Sequence, residues 1–253
     1  MLHHQGRHAL VTGGGTGIGL AIARMLASQG AAVTITGRRA DILDAAAAES
    51  PGLHPLVMDV ADEASVVTGT AAAIAARGPV TICVANAGIA EGKSMAKMDL
   101  AFWRQMMAIN LDGAYLTVRE CLPGMLAAGW GRTVFVSSIA GLKGLKGAPA
   151  YTASKHGMIG LMRGLSEEYL GMGLTFNALC PGYVDTDIVT RNTASIAARA
   201  GIEADQARQM MVKTNRHKRL ITADEVAAAA NWLCGPGSDS VNGQTVEIAG
   251  GQM

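Results

Sequence analysis

No apolar run in the 253 residues approaches the roughly 18 that a membrane-spanning helix needs, so no membrane span is expected. Charge of one sign is also missing: 21 Lys and Arg stand against 20 Asp and Glu, a net +1. That balance indicates no polyelectrolyte partner. Nucleic acid lacks local support too, because the basic residues are not interleaved with aromatics. The opening Met-Leu-His-His-Gln-Gly-Arg lacks the positive-then-apolar shape of a secretory signal, and a cytoplasmic location is expected. His3 and His4 carry no assigned role. The four cysteines, Cys83, Cys121, Cys180 and Cys234, form no Cys-x-x-Cys pair. Buried free thiols in a reducing compartment are expected, with neither a disulfide framework nor a metal site. Linkers, repeats and low-complexity tracts are absent as well, and a 49% apolar composition supplies a sizeable core. One domain over residues 1–253 is expected.

What is present concentrates between Ser138 and Lys155. The stretch reads Ser-Ile-Ala-Gly-Leu-Lys-Gly-Leu-Lys-Gly-Ala-Pro-Ala-Tyr-Thr-Ala-Ser-Lys. A buried strand over 133–137 feeds a glycine-rich loop, and a helix follows Pro149, where Ala, Ser, Met, Leu and Glu dominate. Tyr151 and Lys155 stand four apart, so a helix puts both on one face. A phenol titrates near pH ~10 when unperturbed. A neighbouring ammonium favours the phenolate and brings that value down. Such a Tyr exchanges a proton with an oxygen under reaction. Ser138, delivered from the end of the strand, can hold that oxygen by a hydrogen bond. Alone, Tyr-x-x-x-Lys is more often an ordinary surface pair, so the rest of the chain has to decide.

A strand over 8–12 leads into Thr12-Gly13-Gly14-Gly15-Thr16-Gly17-Ile18-Gly19, after which Ile18, Ile22, Met25 and Leu26 recur at helical spacing. Glycines let the backbone approach a pyrophosphate, and a helix start offers free N–H groups and a positive dipole end. The spacing is Gly-x-x-x-Gly-x-Gly, and a tight strand–helix turn without a ligand is the alternative. A second strand over 32–36 ends at Gly37-Arg38-Arg39. An acid there would accept from a ribose 2′-hydroxyl, whereas a 2′-phosphate wants a cation. The arginines favour NADP(H) and leave NAD(H) open; a solvated Arg pair is the bland reading. Strands over 53–58 and 80–85 end at Asp59-Val60 and at Asn86-Ala87-Gly88, with an alanine-rich helix over 62–77 between them. The alternation predicts a parallel, doubly wound sheet. Ligands then sit beyond the carboxyl ends of the strands, where each of these motifs lies.

A long helix is expected over 100–127, with Asn110 in its interior at a mild propensity cost. That side chain is either solvated or holds a water or a backbone carbonyl. Met95, Met98, Met106 and Met107 fit core or interface packing better than a substrate wall. A strand over 175–180 ends in Pro181-Gly182-Tyr183-Val184-Asp185-Thr186, and there the alternation breaks. Residues 187–222 read as helical but poorly amphipathic. Residues 186–222 carry seven Lys and Arg against three acids, a net +4, while the remainder is −3. An insertion above a ligand crevice reads as a lid at about 186–222. Its charge suits an acidic or phosphorylated substrate, or equally a solvated face or a subunit contact. A helix over 223–234, capped by Thr222 and stopped by Gly235-Pro236-Gly237, and a strand over 245–248 complete the pattern.

In this order the motifs resemble the short-chain dehydrogenase/reductase family, in its form of about this length, across essentially the whole chain. The resemblance is carried by Thr12-Gly-x-x-x-Gly17-Ile18-Gly19, Asp59-Val60, Asn86-Ala87-Gly88, Asn110, Ser138, Tyr151-x-x-x-Lys155, Pro181-Gly182 and Thr186. Ala85 departs from it, standing where many relatives carry Asn. The resemblance implies an α/β, single-domain, Rossmann-like doubly wound sheet with a helical substrate lid. It implies hydride transfer between NADP(H) or NAD(H) and a ketone or secondary alcohol. Tyr151 would be the proton donor or acceptor, and Lys155 would lower its pKa and bond the nicotinamide ribose. Ser138 would orient the reacting oxygen, and Asn110 would hold a water linking Lys155 to solvent. Cofactor contacts would come from Gly13, Gly15, Thr16, Gly17, Ile18, Gly19, Arg38, Asp59, Val60, Asn86, Tyr151, Lys155, Pro181, Gly182, Val184 and Thr186. A homotetramer built on the helix after Tyr151 and on the last strand is expected.

The ending Gly-Pro-Gly-Ser-Asp-Ser-Val-Asn-Gly-Gln, with Ser-Lys155-His156-Gly157 and Leu-Cys180-Pro-Gly, is similar to relatives acting on 3-oxoacyl chains. A thioester of coenzyme A or of a carrier protein is therefore one expected substrate. A cyclic, sugar, diol or small neutral secondary alcohol is the other. A cofactor-sensing protein without turnover would be expected to lose Tyr151, Lys155 or Ser138, and all three are present.

Overall fold

The structure is a computed structural model that describes residues 2–186, 189, 190, 193, 197 and 201–252. Its strands are β1 (His8–Thr12), β2 (Ala32–Gly37), β3 (Leu53–Val57), β4 (Val80–Ala85), β5 (Gly131–Val136), β6 (Leu174–Pro181) and β7 (Thr245–Ile248). They form one sheet in the order β3-β2-β1-β4-β5-β6-β7. Every neighbouring pair is parallel. The described helices of the connections are α1 (Gly17–Ser28), α2 (Ala40–Ala48), α3 (Glu63–Arg77), α4 (Leu100–Met107), α5 (Gly113–Ala128), α6 (Pro149–Glu168), α7 (Ala204–Thr214) and α8 (Ala223–Cys234). This is the expected doubly wound α/β architecture.

Parallel strands covered on both faces are apolar at successive positions rather than alternately. β1 is buried at every residue. Ala9 and Val11 join Ile22, Leu26, Val226 and Leu233 of α1 and α8 on one face. Leu10 joins Val118, Cys121, Met158 and Phe176 on the other. The four cysteines are free and buried. β1 neighbours both β2 and β4, so the winding reverses between β1 and β4. A crevice opens beyond the carboxyl ends of strands at such a switch point. No described helix is long and apolar enough to cross a membrane.

Several expectations change in detail. α2 is not marked by periodicity, because its nine residues bury only Leu43 and Ala46. The helix over 100–127 is not uninterrupted: a π turn, Ala108–Asp112, separates α4 from α5, and Asn110 lies inside it. β5 begins earlier than 133, because Gly131 and Arg132 pair with Leu174 and Thr175 of β6. The charge of Arg132 leaves the sheet through a salt bridge to Asp239. In the 187–222 segment, α7 and residues 189, 190, 193 and 197 are helical, but 215–222 are not. There the Asn215 amide donates to Tyr183 O (3.1 Å) and Arg219 O (2.8 Å), and Ile221 forms a parallel bridge with Val184. The backbone thus runs back along the end of β6 instead of coiling. Asp187, Arg191 and Arg199, counted in the segment's charge, lie outside the described residues.

α8 opens with a reciprocal cap. Glu225 N–H donates to Thr222 Oγ1 (3.2 Å), and Thr222 N–H donates to the Glu225 carboxylate (2.8 Å). Arg219 grips both oxygens of that carboxylate, at 2.6 and 2.7 Å. Together these bonds, Arg219 first, hold the carboxyl at a pKa of about 2. Thr222→Ala should cost about 1 kcal/mol and lower Tm by ~2–4 °C. Urea unfolding checks this, and an unchanged midpoint would remove the cap from the stability of α8.

Candidate active site

β1 ends at Thr12, and the chain turns through Gly13 (φ 63°) and Gly17 (φ 55°) into α1. Left-handed backbone at both positions suits glycine. A Cβ on Gly19 would lie 2.3 Å from Gly13 O and 2.4 Å from Asn86 Nδ2, so the turn and β4 meet without room for a side chain. Thr16 precedes α1 and makes no side-chain cap, which leaves the first N–H groups of the helix for an outside acceptor. Uncapped donors, a positive dipole end and a glycine backbone fit the pyrophosphate of a dinucleotide.

Asn86 braces this turn. Its Nδ2 donates to Thr12 O (2.8 Å) and Gly13 O (3.3 Å), and its N–H, with that of Ala87, donates to Thr12 Oγ1 (both 3.0 Å). Gly15 packs against Ile42 and Leu43 of α2. Thr186 closes the far side, 3.2 Å from where a Cβ of Gly17 would stand. Ile18 is half-buried beside the main core. The other expected cofactor residues line the same edge of the sheet. Arg38 is exposed just past β2 and makes no ion pair among the described residues. Asp59 accepts from Ala61 N–H (3.0 Å), and Val60 is buried against Gly113. Pro181 ends β6, Gly182 N–H donates to Ile248 O (3.0 Å), and Val184 is buried beneath its bridge to Ile221.

The second cluster gathers between β5, α6 and the π turn. α6 starts with Pro149 in its first turn, where a missing N–H costs little. Ser138 leaves β5 extended and accepts from Ala140 N–H (3.1 Å), and its hydroxyl lies close enough to the Tyr151 phenol to influence its titration. Lys155 is buried, and its Nζ donates to Val136 O (2.8 Å), 5.9 Å from the centre of the Tyr151 ring. Asn110, fully buried, faces the same place from the π turn. A Cβ on Gly88 would stand 3.1 Å from Asn110 Oδ1 and 3.6 Å from Lys155 Nζ. Ser138, Tyr151, Lys155 and Asn110 are therefore brought together.

The electrostatics correct one expectation. Burial pushes the Tyr151 phenol above its ordinary value, the Ser138 hydroxyl opposes this, and Tyr183 adds to the rise. Burial takes Lys155 down to about 8. Lys155 is thus not what lowers Tyr151 here, because its ammonium is turned to the Val136 carbonyl and Ser138 supplies the lowering. Other neighbours escape a motif search. Ser137 Oγ donates to Lys155 O (3.2 Å), and Ser154 joins Asn110 to α6. Tyr183, readable only as the residue after Pro-Gly, packs beside Val189, Met211 and Leu220. Burial pushes the Cys180 thiol up to about 12, which makes it a filler under Lys155 rather than a nucleophile.

Residues 7–197 match the family described as short chain dehydrogenase. The chain is 34% identical to the D-beta-hydroxybutyrate dehydrogenase of Rhizobium meliloti, over 96% of this chain and 97% of that one. It is 38% identical to the cis-4-hydroxycyclohexanecarboxylate dehydrogenase of Sinomonas cyclohexanicum, over 97% and 96%. Among solved structures, that of a variant actinorhodin polyketide ketoreductase with NADPH superposes with a TM-score of 0.94 at 30% identity, covering 97% of each chain.

The buried lysine has a thermodynamic signature. Its folded pKa of about 8 lies below the model-peptide value of 10.5. Between those values the unfolded chain binds more protons, so stability from this group rises with pH, and its burial penalty is full below pH ~8. Lys155→Met should therefore be most stable relative to the parent at pH 7, and that difference should shrink toward pH 10. Denaturant unfolding at the two pH values measures it; a difference independent of pH would contradict the assigned titration.

Proposed function

This chain belongs to the short-chain dehydrogenase family and is an NAD(P)-dependent oxidoreductase of ketones and secondary alcohols, and from that premise we propose how its own residues carry the reaction. The observation that carries the reading is the convergence of the Ser138 hydroxyl and the Tyr151 phenol, with Lys155 buried behind them. The nicotinamide, when bound, supplies or takes the hydride. Ser138 holds the substrate oxygen. Tyr151 gives a proton to that oxygen in reduction and takes one in oxidation. Lys155 bonds the ribose, and the π turn at Asn110 borders its route to solvent, where a water would complete a relay. The uncapped start of α1 with Gly13, Gly15, Thr16, Gly17, Ile18 and Gly19 receives the pyrophosphate. Asp59, Val60 and Asn86 shape the adenosine side, and Pro181, Gly182, Val184 and Thr186 the nicotinamide side.

NADP(H) is the favoured cofactor. Gly37 leaves no acid at the end of β2, and Arg38 beyond it is exposed and without an ion pair among the described residues. The NADPH in the ketoreductase structure is consistent with this choice. The segment over 186–222, of which 187, 188, 191, 192, 194–196 and 198–200 lie outside the described residues, is assigned the part of a lid. Arg208 and Arg219 are paired with Asp185 and Glu225, whereas Lys213, Arg216 and Lys218 are exposed and make no ion pair among the described residues. Those cations suit a 3-oxoacyl or 3-hydroxyacyl substrate bearing a carboxylate or the phosphate of a coenzyme A or carrier arm. The relatives named for hydroxybutyrate and for ketoacyl reduction support that class. A cyclic secondary alcohol is the second reading, favoured by the relative named for a hydroxycyclohexane acid. The protein works in the cytoplasm as a homotetramer, for which exposed Leu170 and Met172 beyond α6 offer apolar surface.

Two substitutions test the core of this reading. Tyr151→Phe should reduce turnover by roughly 10²–10⁴-fold while cofactor binding stays near that of the parent; full activity in the variant would end the acid–base role. Arg38→Ala should raise KM for NADPH by about tenfold, the loss of a charge-assisted hydrogen bond, and leave KM for NADH nearly constant. Equal effects on both cofactors would return Arg38 to an ordinary surface residue. Absorbance assays against 3-oxoacyl thioesters, 3-oxo acids and cyclic ketones then separate the substrate classes.

A further inference from the structure

Ser154 lies between Tyr151 and Lys155 on α6 and is fully buried. Its hydroxyl donates to Tyr151 O at 2.8 Å. A bond of that kind, three residues back along a helix, is common and by itself carries no information. The second bond is different. The same oxygen accepts from Asn110 Nδ2 at 3.0 Å, across 44 residues of sequence and from a different element. One hydroxyl therefore joins the helix that carries Tyr151 and Lys155 to the π turn.

Asn110 passes the constraint on. Its Oδ1 accepts from Ile89 N–H (2.8 Å) and its Nδ2 donates to Ile89 O (3.0 Å), so both main-chain groups of Ile89 are held by one amide. Ile89 follows Gly88, whose open side faces Lys155 Nζ. The orientation of this amide thus determines where the Gly88 backbone stands beside the ammonium. The same nitrogen also donates to a weaker acceptor, Met106 Sδ at 3.1 Å. Without the Ser154 oxygen, the amide would be left to that sulfur on this side and would loosen its hold on Ile89.

We propose that Ser154 is a positioning residue for proton transfer, acting through Asn110 and the Gly88–Ile89 backbone on Lys155 without touching the reacting atoms. This rests on the Tyr151 and Lys155 roles proposed above. Ser154→Ala should lower kcat by about tenfold to hundredfold, the effect of a small misplacement of a reacting group, with KM for cofactor and ketone little changed. A looser wall admits water to the ammonium, so any limb of the kcat profile that reports Lys155 should move to higher pH. Ser154→Thr, which keeps the hydroxyl, should restore both kcat and the profile. In a double-mutant cycle, Ser154→Ala should add little to Asn110→Ala, because the two act in series.

Thermal melting and cofactor titration of each variant accompany the kinetics. If Ser154→Ala does not fold, Ser154→Cys serves in its place, with a weaker acceptor at the same position and an intermediate shift expected. A parent-like kcat and pH profile in these variants would overturn the proposal. So would full additivity with Asn110→Ala, or a loss of kcat with no movement of the profile. Tyr151→Phe is run alongside. If it loses turnover while Ser154→Ala keeps it, only the role of Ser154 falls; if it keeps turnover, the reading beneath it falls.

Discussion

A lysine ammonium has been taken out of water at the carboxyl edge of the sheet, and much of the surrounding structure answers to that fact. Desolvating a charge is costly unless its donors are met. Lys155 finds the Val136 carbonyl at the end of β5, and the open side of Gly88 faces its ammonium, where a Cβ would stand 3.6 Å away. Ser137 holds the main chain at Lys155 from below, and Asn110 holds the opposite wall from the π turn. These groups come from four parts of the chain. Their meeting depends on the parallel order of β4, β5 and β6, which brings consecutive strand ends side by side.

The two edges of the sheet are built differently. At the carboxyl edge the packing is backbone against backbone, as where Gly19 meets Gly13 and Asn86. That arrangement keeps donors available to a ligand. At the amino edge, side chains lock onto one another. Arg7 lies 3.7 Å over the ring of Trp130, and Arg132 lies 4.5 Å from it while bridging to Asp239. His8 spans Thr34 and the Gly78 carbonyl, and burial lowers its pKa. One edge carries rigidity, and the other can therefore carry an exposed, ligand-shaped surface.

The fold was legible where composition follows burial. β1, β4 and β7 occupy the residues that apolar runs and glycine stops indicate, and α8 begins at its Thr222 cap. Legibility fails where one residue does two things. Arg132 hid the start of β5, because a charge in a buried strand becomes acceptable only when Asp239, more than a hundred positions away, is known. The π turn has no compositional mark, since Ala-Ile-Asn-Leu-Asp would serve equally in an α-helix. Within the site, Tyr151 and Lys155 were readable from local spacing. Ser154 was not, because its informative contact is to a residue 44 positions away. The direction of the Tyr151 shift was misread for a related reason: spacing places an ammonium nearby, and only geometry shows which way it points.

The π turn also acts as a phase shift. Each residue of an α-helix advances the side chain by about 100°, so one extra residue between α4 and α5 rotates everything before it relative to everything after it. A deletion of one residue in 108–112 would restore regular helix and at the same time turn Asn110 away from Ile89. Loss of a residue is usually tolerated better in loops than in helices. Here the intolerance has a specific site, the amide that holds both main-chain groups of Ile89.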